Sequence, residues 1–91
     1  EQQHRILIER GPRRISPFFV PMMIINIAAG QVAMHWNFRG PNQTVSSACA
    51  SATDAIGIAF RMVQMGSADV TIAGGTEACI APLPIAGFAN M

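Results

Sequence analysis

TVSSACASATDAIG, the stretch at residues 44–57, decides the fold of this chain. A short run of Thr, Val and Ser leads into Cys49, small residues surround that cysteine, and a long apolar helical pattern follows. This order predicts a strand, a tight turn and a helix, with the thiol at the helix N-terminus. Free backbone N–H groups and the helix dipole favour an anion at that position. Because the thiolate is the nucleophilic form of cysteine, the stretch indicates a reactive thiol.

The residues around this stretch extend the pattern into a βαβ unit. Residues 43–48 are predicted to form the first strand, residues 50–65 the helix, and residues 69–73 a short buried second strand. Two strands joined in this way are parallel and have a right-handed crossover. Gly66 marks the helix end, and Gly57 in its middle is expected at a close packing contact. The sequence therefore predicts an α/β fold.

Further helices are predicted before this unit. The first covers residues 1–9 and stops at Gly11. The second begins at Pro17, after Ser16 as a candidate N-cap, or at Pro21, and runs to about His35. The apolar residues of the second helix go nearly all the way round it, which is typical of a helix buried in a larger assembly. The segment 80–91 contains two prolines and a glycine, and we expect it to be a loop.

The composition describes a small and unusually apolar chain. It has 91 residues, of which 51% are hydrophobic and 12% charged, against a usual charged share of roughly 25%. So short a chain cannot bury that much apolar surface. We therefore expect it to be a slice of a longer protein, with its apolar surface covered by the rest of that protein and by a partner subunit. The net charge of +1 implies no general affinity for nucleic acid or membrane. We expect both cysteines to be reduced, in the cytoplasm.

The central stretch also resembles a known family. Ser47-Ala48-Cys49 and the helix after it are similar to the nucleophile elbow of β-ketoacyl-acyl-carrier-protein synthases. The segments that agree with the elongating, type II branch are residues 11–23, 39–42, 73–78 and 84–88. Members of this family are several times longer, so the chain resembles an internal slice. The resemblance implies a partial thiolase-like fold, a βαβ unit with buried helices, with residues 1–91 part of its N-terminal half.

The resemblance implies a decarboxylative Claisen condensation in fatty acid elongation. Cys49 would be acylated by an acyl carrier thioester, with its own backbone N–H supplying half of an oxyanion hole. Malonyl carrier protein would then lose carbon dioxide, and its carbanion would attack the acyl group to give a 3-oxoacyl carrier protein. The partners implied are the acyl carrier protein and acyl and malonyl thioesters. No metal or organic cofactor is implied.

Other site residues follow from the same resemblance. An apolar channel would hold the acyl chain, and its lining residues would be Phe19, Ala48, Cys79 and Phe88. The residue pattern alone describes an apolar core equally well. Arg13 and Arg14 would form a docking patch for the acidic carrier protein, where the simpler interpretation is a solvated loop. A homodimer is also implied, in which the strand 43–47 pairs with its twin near Val45.

Several alternatives stay open at this point. Cysteine is among the most buried residue types, so Cys49 could be an inert core thiol. The protein could instead be a polyketide ketosynthase or a thiolase, which have the same fold. The chain could also be a non-catalytic fragment that serves only in dimerisation. His4 and His35 match neither catalytic histidine of the family, and the chain has no lysine. Both histidines are therefore predicted to be structural.

Overall fold

A computed structural model describes all of the chain, residues 1–91. The chain divides into two compact units, one made of residues 1–24 and 77–91 and the other of residues 25–76. Five α-helices and two short 3₁₀ turns make up the regular structure, and no residue belongs to a strand.

The first unit begins with helix α1, Gln2–Arg10, which confirms the prediction for residues 1–9. The helix ends at Gly11, whose φ of 78° suits a residue without a Cβ. A 3₁₀ turn, Pro12–Arg14, follows. After this turn the backbone N–H of Ser16 donates to Oε1 of Gln3 at 2.8 Å. This bond ties the chain back onto α1.

The second predicted helix is wrong in extent, because the structure divides it in two. Helix α2, Phe19–Met23, belongs to the first unit, and helix α3, Ile27–Trp36, belongs to the second. Between them Ile24 is extended, with ψ of 136°, and Asn26 occupies the N-cap position of α3. β-Branched isoleucine is a weak helix former, and the chain is extended at Ile24, where α2 ends. The Asn26 side chain makes no capping hydrogen bond to α3.

The second unit contains the longest helix, α4, Ser51–Gln64, as predicted. Gly66 ends it in a left-handed conformation, with φ of 71°. The N–H of Gly66 donates to the carbonyl of Val63 at 3.1 Å, and the N–H of Ser67 donates to that of Met62 at 2.8 Å. This pair of bonds is the Schellman motif, which satisfies carbonyls that the helix leaves free.

After Gly66 the chain returns along α4. The N–H of Ala68 donates to the carbonyl of Met62 in the last turn, and the backbone of Gly75 lies against Ala52 in the first turn. The segment 68–75 therefore runs antiparallel to the helix over most of its length. The helix residues that recur at helical spacing and are buried or half-buried are Ala52, Ala55, Ala59 and Met62.

The predicted βαβ unit is wrong, because neither expected strand forms. Residues 43–47 and 69–73 have no strand assignment. Residues 39–46 and 69–77 also make no backbone–backbone hydrogen bond. Strand-forming residues fit a pleated surface between neighbouring strands, and the pattern of one segment cannot supply those neighbours. The fold described by the structure is helical, and the α/β class is not supported.

The expectation of buried helices is also wrong. Ala59 on α4 is the only buried residue, with 9% of its surface exposed. Helix α3 has no buried residue although it is apolar almost all round, and Trp36 at its end is 65% exposed. The close contact expected at Gly57 is absent as well, since a Cβ added there would meet no atom within 4 Å.

The expected loop at the end of the chain is also wrong. Residues Pro82–Ala89 form helix α5, with Pro82 in its first turn. Proline is tolerated there because the first N–H groups of a helix have no intrahelical acceptor. In the same unit, the N–H of Leu83 donates to Oε1 of Glu1 at 2.6 Å. None of the five helices has the length and apolar character needed to cross a membrane.

Candidate active site

Cys49 lies in the second unit, on a 3₁₀ turn, Ala48–Ala50, that runs directly into α4. The predicted turn and helix are therefore confirmed around the thiol, although no strand precedes them. The thiol is free and the residue is exposed. Its backbone N–H makes no backbone hydrogen bond, whereas the N–H of Ala50 donates to the carbonyl of Ser47 at 3.1 Å. A substrate oxygen could therefore bind at the N–H of Cys49.

The residue before the cysteine has an unusual backbone. Ala48 has φ of 51°, and Asn37 is the only other non-glycine residue with a positive φ. For a residue with a Cβ this region costs about 1–2 kcal/mol. Strain of this kind persists only where surrounding contacts maintain it. The sharp reversal at Ala48 is what presents the thiol at the start of α4.

Three hydrogen bonds span the cysteine and maintain the reversal. The N–H of Ser47 donates to Oγ of Ser51 at 2.9 Å, and the hydroxyl of Ser51 donates to the carbonyl of Ala48 at 2.7 Å. The hydroxyl of Ser47 donates to the Asp54 carboxylate. We call Ser47, Ser51 and Asp54 the elbow cluster. It joins the segment before Cys49 to the first turn of α4.

Gly75 supports the elbow from the returning segment. A Cβ added at this glycine would lie 2.7 Å from the Cβ of Ala52 and 3.4 Å from its Cα. Only glycine fits at that distance without a shift of one backbone. This contact explains why residue 75 is a glycine. It does not explain Gly74, where an added Cβ would meet no atom within 4 Å.

Cys79 has different surroundings and belongs to the first unit. Its thiol donates to Oε1 of Glu77 at 3.2 Å. That hydrogen bond, with smaller contributions from desolvation and from the charge of Glu77, raises the pKa of the Cys79 thiol above its ordinary value. Stabilising the protonated thiol lowers the fraction of thiolate at neutral pH. Cys79 is therefore poorly suited to act as a nucleophile.

The expected channel residues are divided between the two units. Of the expected channel residues, Phe19 is half-buried on α2, Phe88 is 63% exposed on α5, and Cys79 is half-buried; all three belong to the first unit. Ala48 belongs to the second unit. The acyl channel stays a prediction.

The two arginines predicted to dock the carrier protein lie on the 3₁₀ turn after α1. Both Arg13 and Arg14 are exposed. Neither takes part in a side-chain hydrogen bond or an ion pair. Their guanidinium groups are therefore accessible to an acidic partner, which is the property that a docking patch needs.

Both histidines are exposed on helices. His4 lies on α1 and His35 on α3. The ring of His35 meets that of Trp36 edge to face, with centroids 4.9 Å apart. No cluster of three His, Cys, Asp or Glu side chains is arranged to hold a metal ion.

Sequence reasoning missed the elbow cluster and the specific role of Gly75. A signal for the cluster was present in the sequence. Ser51 and Asp54 follow Ser47 by four and seven positions, on the other side of the cysteine. Serine and aspartate favour caps and local hydrogen bonds at helix starts. The contact between Gly75 and Ala52 had no local signal, since it depends on the path of the chain after Gly66.

Comparison with known proteins finds relatives over nearly the whole chain. The chain is 52% identical over 90 residues to a 3-oxoacyl-[acyl-carrier-protein] synthase 2 of Synechocystis sp., a match that covers 99% of the chain and 22% of that protein. It is 52% identical over 88 residues to a protein of the same name from Staphylococcus aureus, covering 97% of the chain and 22% of the relative. The chain thus spans about a fifth of the length of these relatives.

The family match extends over the same residues. The family described as "Beta-ketoacyl synthase, N-terminal domain" matches residues 1–91, which include the elbow and both cysteines. The chain therefore belongs to the β-ketoacyl synthases.

Proposed function

We propose that this chain supplies the acyl-accepting nucleophile of a 3-oxoacyl-[acyl-carrier-protein] synthase that elongates fatty acids. The observation that carries the proposal is the position of Cys49. Its thiol is exposed on a strained turn at the start of α4, and its N–H is free. The names of the relatives, which are 52% identical over nearly all of the chain, support the same activity.

The first half-reaction is transfer of an acyl group to Cys49. The thiolate attacks the carbonyl carbon of an acyl carrier thioester, and the C=O electron pair moves onto oxygen. The N–H of Cys49 is placed to donate to that oxyanion, as in other acyl-transfer sites. The carbonyl then re-forms, the carrier's thiolate leaves and takes up a proton, and a thioester remains on Cys49.

The second half-reaction forms the carbon–carbon bond. The malonyl thioester loses its carboxylate as carbon dioxide, and the electron pair of the broken bond becomes a carbanion equivalent. This carbon attacks the carbonyl of the Cys49 thioester, and the Cys49 thiolate leaves. The product is a 3-oxoacyl carrier protein, two carbons longer than the acyl donor. Groups that stabilise the developing enolate are needed for this step.

The partners belong to the same proposal. The exposed Arg13 and Arg14 suit an acidic acyl carrier protein, and Phe19, Ala48, Cys79 and Phe88 are proposed to contact the acyl chain. A reactive thiol that must stay reduced suits the cytoplasm. We also propose a homodimer, supported by the exposed apolar surface of α3. The proposed homodimer does not use strand pairing at residues 43–47, because these residues form no strand.

Acylation of the cysteine tests the proposal directly. The full-length protein that carries these residues is incubated with an acyl carrier thioester, and the modified peptide is identified by mass spectrometry. We expect the acyl group on Cys49, its loss in Cys49→Ser, and its retention in Cys79→Ser. An acyl group on Cys79, or none on either cysteine, would contradict the proposal.

A further inference from the structure

We infer that Asp54 is a positioning residue for Cys49 and acts through Ser47. This inference rests on the proposed function, since it concerns the geometry of the proposed nucleophile. Asp54 follows the cysteine by five positions and Ser47 precedes it by two. The hydrogen bond from the Ser47 hydroxyl to the Asp54 carboxylate therefore closes a loop around the thiol.

The remaining members of the cluster show why the loop needs closing. Ser51 accepts a hydrogen bond from the N–H of Ser47 and donates one to the carbonyl of Ala48. These bonds join the two sides of a residue whose φ of 51° is unfavourable for alanine. The bond to Asp54 fixes the Ser47 side chain to α4, while Ser51 fixes its backbone. Without the bond to Asp54, the segment before the cysteine keeps only its hydrogen bonds to Ser51.

The Asp54 side chain makes no interaction that competes with its hydrogen bond to Ser47. It forms no ion pair, and its side-chain hydrogen bond goes to Ser47. A carboxylate in the first turn interacts favourably with the helix dipole, which stabilises the helix.

The experiment measures the alkylation rate of Cys49 by iodoacetamide in the full-length protein. The variants are Asp54→Ala, Asp54→Asn, Ser47→Ala and the double variant Ser47→Ala/Asp54→Ala. The alkylation rate of Cys79 in the same samples is the internal control. Both substituted positions are exposed, so packing is not disturbed.

We expect Asp54→Ala and Ser47→Ala each to slow alkylation of Cys49 by about two- to tenfold, the range that loss of one hydrogen bond produces. The double variant should be no slower than either single variant, since both remove the same bond. Asp54→Asn should keep the wild-type rate, because its amide oxygen accepts the same bond. The rate of Cys79 should not change.

Other results would overturn the inference. Faster alkylation in both Asp54→Asn and Asp54→Ala would mean that Asp54 acts only by its charge, and additive losses in the double variant would mean that it does not act through Ser47. If Asp54→Ala does not fold, Ser47→Ala and Asp54→Asn still decide, because only the first should be slow. The proposed function fails separately, if wild-type Cys49 takes no acyl group while the alkylation rates still show coupling.

Discussion

Gly75 and Ala52 are in such close contact that a Cβ added to the glycine would lie 2.7 Å from the alanine Cβ. Ala52 is in the first turn of α4, three residues after Cys49. The returning segment therefore supports the helix at the end that carries the thiol. This contact relates a glycine with no chemistry of its own to the geometry of the proposed nucleophile.

The first prediction is that Gly75→Ala slows acylation of Cys49. The new methyl group must displace Ala52 or the returning segment, and overpacking of this kind typically costs about 1–3 kcal/mol. The matched control is Gly74→Ala, where a Cβ would meet nothing within 4 Å. Acylation rates and denaturant midpoints of both variants provide the comparison. Equal effects at the two glycines would contradict the assigned contact.

A compensating substitution sharpens this test. Ala52→Gly removes the Cβ that the new methyl group would meet, so the double variant Gly75→Ala/Ala52→Gly should recover part of the lost rate. The single variant Ala52→Gly is measured alongside, since glycine in a helix itself costs about 0.5–1 kcal/mol. Recovery beyond the sum of the single effects identifies the steric contact as the cause.

The second prediction concerns the two cysteines. At neutral pH Cys49 should alkylate faster than Cys79, because Glu77 raises the pKa of the Cys79 thiol and keeps it protonated. Glu77→Ala removes both the hydrogen bond and the charge, so it should move the pH midpoint for Cys79 alkylation downward and speed its reaction. The rate at Cys49 should stay the same. Peptide mass spectrometry over a pH series measures both rates, and an unchanged Cys79 midpoint would argue against the role of Glu77.

The third prediction concerns two glycines, Gly57 inside α4 and Gly66 just after its C-terminus. Gly57→Ala should stabilise the protein by about 0.5–1 kcal/mol, because it lies inside the helix with open space around it. Gly66→Ala should destabilise it by about 1–2 kcal/mol, because φ of 71° is unfavourable for a residue with a Cβ. Urea unfolding followed by circular dichroism gives both values. A loss of stability in Gly57→Ala would reveal a contact at that position.

The fourth prediction tests the docking patch. Replacing Arg13 and Arg14 by glutamate should raise KM for carrier-bound substrates by about three- to thirtyfold, since each exposed ion pair contributes about 0.2–1 kcal/mol. The rate with small pantetheine thioesters should be unchanged. The difference should shrink at high salt, which screens surface charges. Arg61→Glu on α4 is the control for charge reversal elsewhere, and equal losses with both substrate types would indicate misfolding.

The sequence predicted helices α1 and α4 and the turn at Cys49 well, for reasons that are local. Helices α1 and α4 end at Gly11 and Gly66, and each glycine has the positive φ that its position suggested. The turn at Cys49 is also encoded by its immediate neighbours. Predictions of this kind succeed because caps and turns depend on residues a few positions apart.

The predictions that failed depended on distant neighbours. Residues 43–48 and 69–73 have a composition typical of strands, but a strand forms only where other strands supply its hydrogen bonds. Burial of α3 likewise required a surface to cover it, and that surface is not provided within its unit. The channel residues were inferred from the family resemblance, because an apolar channel and an apolar core have the same residue pattern.

The hydrogen bonds of the elbow cluster join residues no more than seven positions apart. Contacts so close in the chain form fast, on the timescale of helix formation, and do not wait for distant segments to meet. The turn that presents Cys49 can therefore be complete early in folding, as soon as residues 47–54 are free to fold. We expect the thiol of a nascent chain to be exposed to oxidants before the remaining segments have folded. The order of assembly makes the period of synthesis the time at which this cysteine most needs a reducing environment.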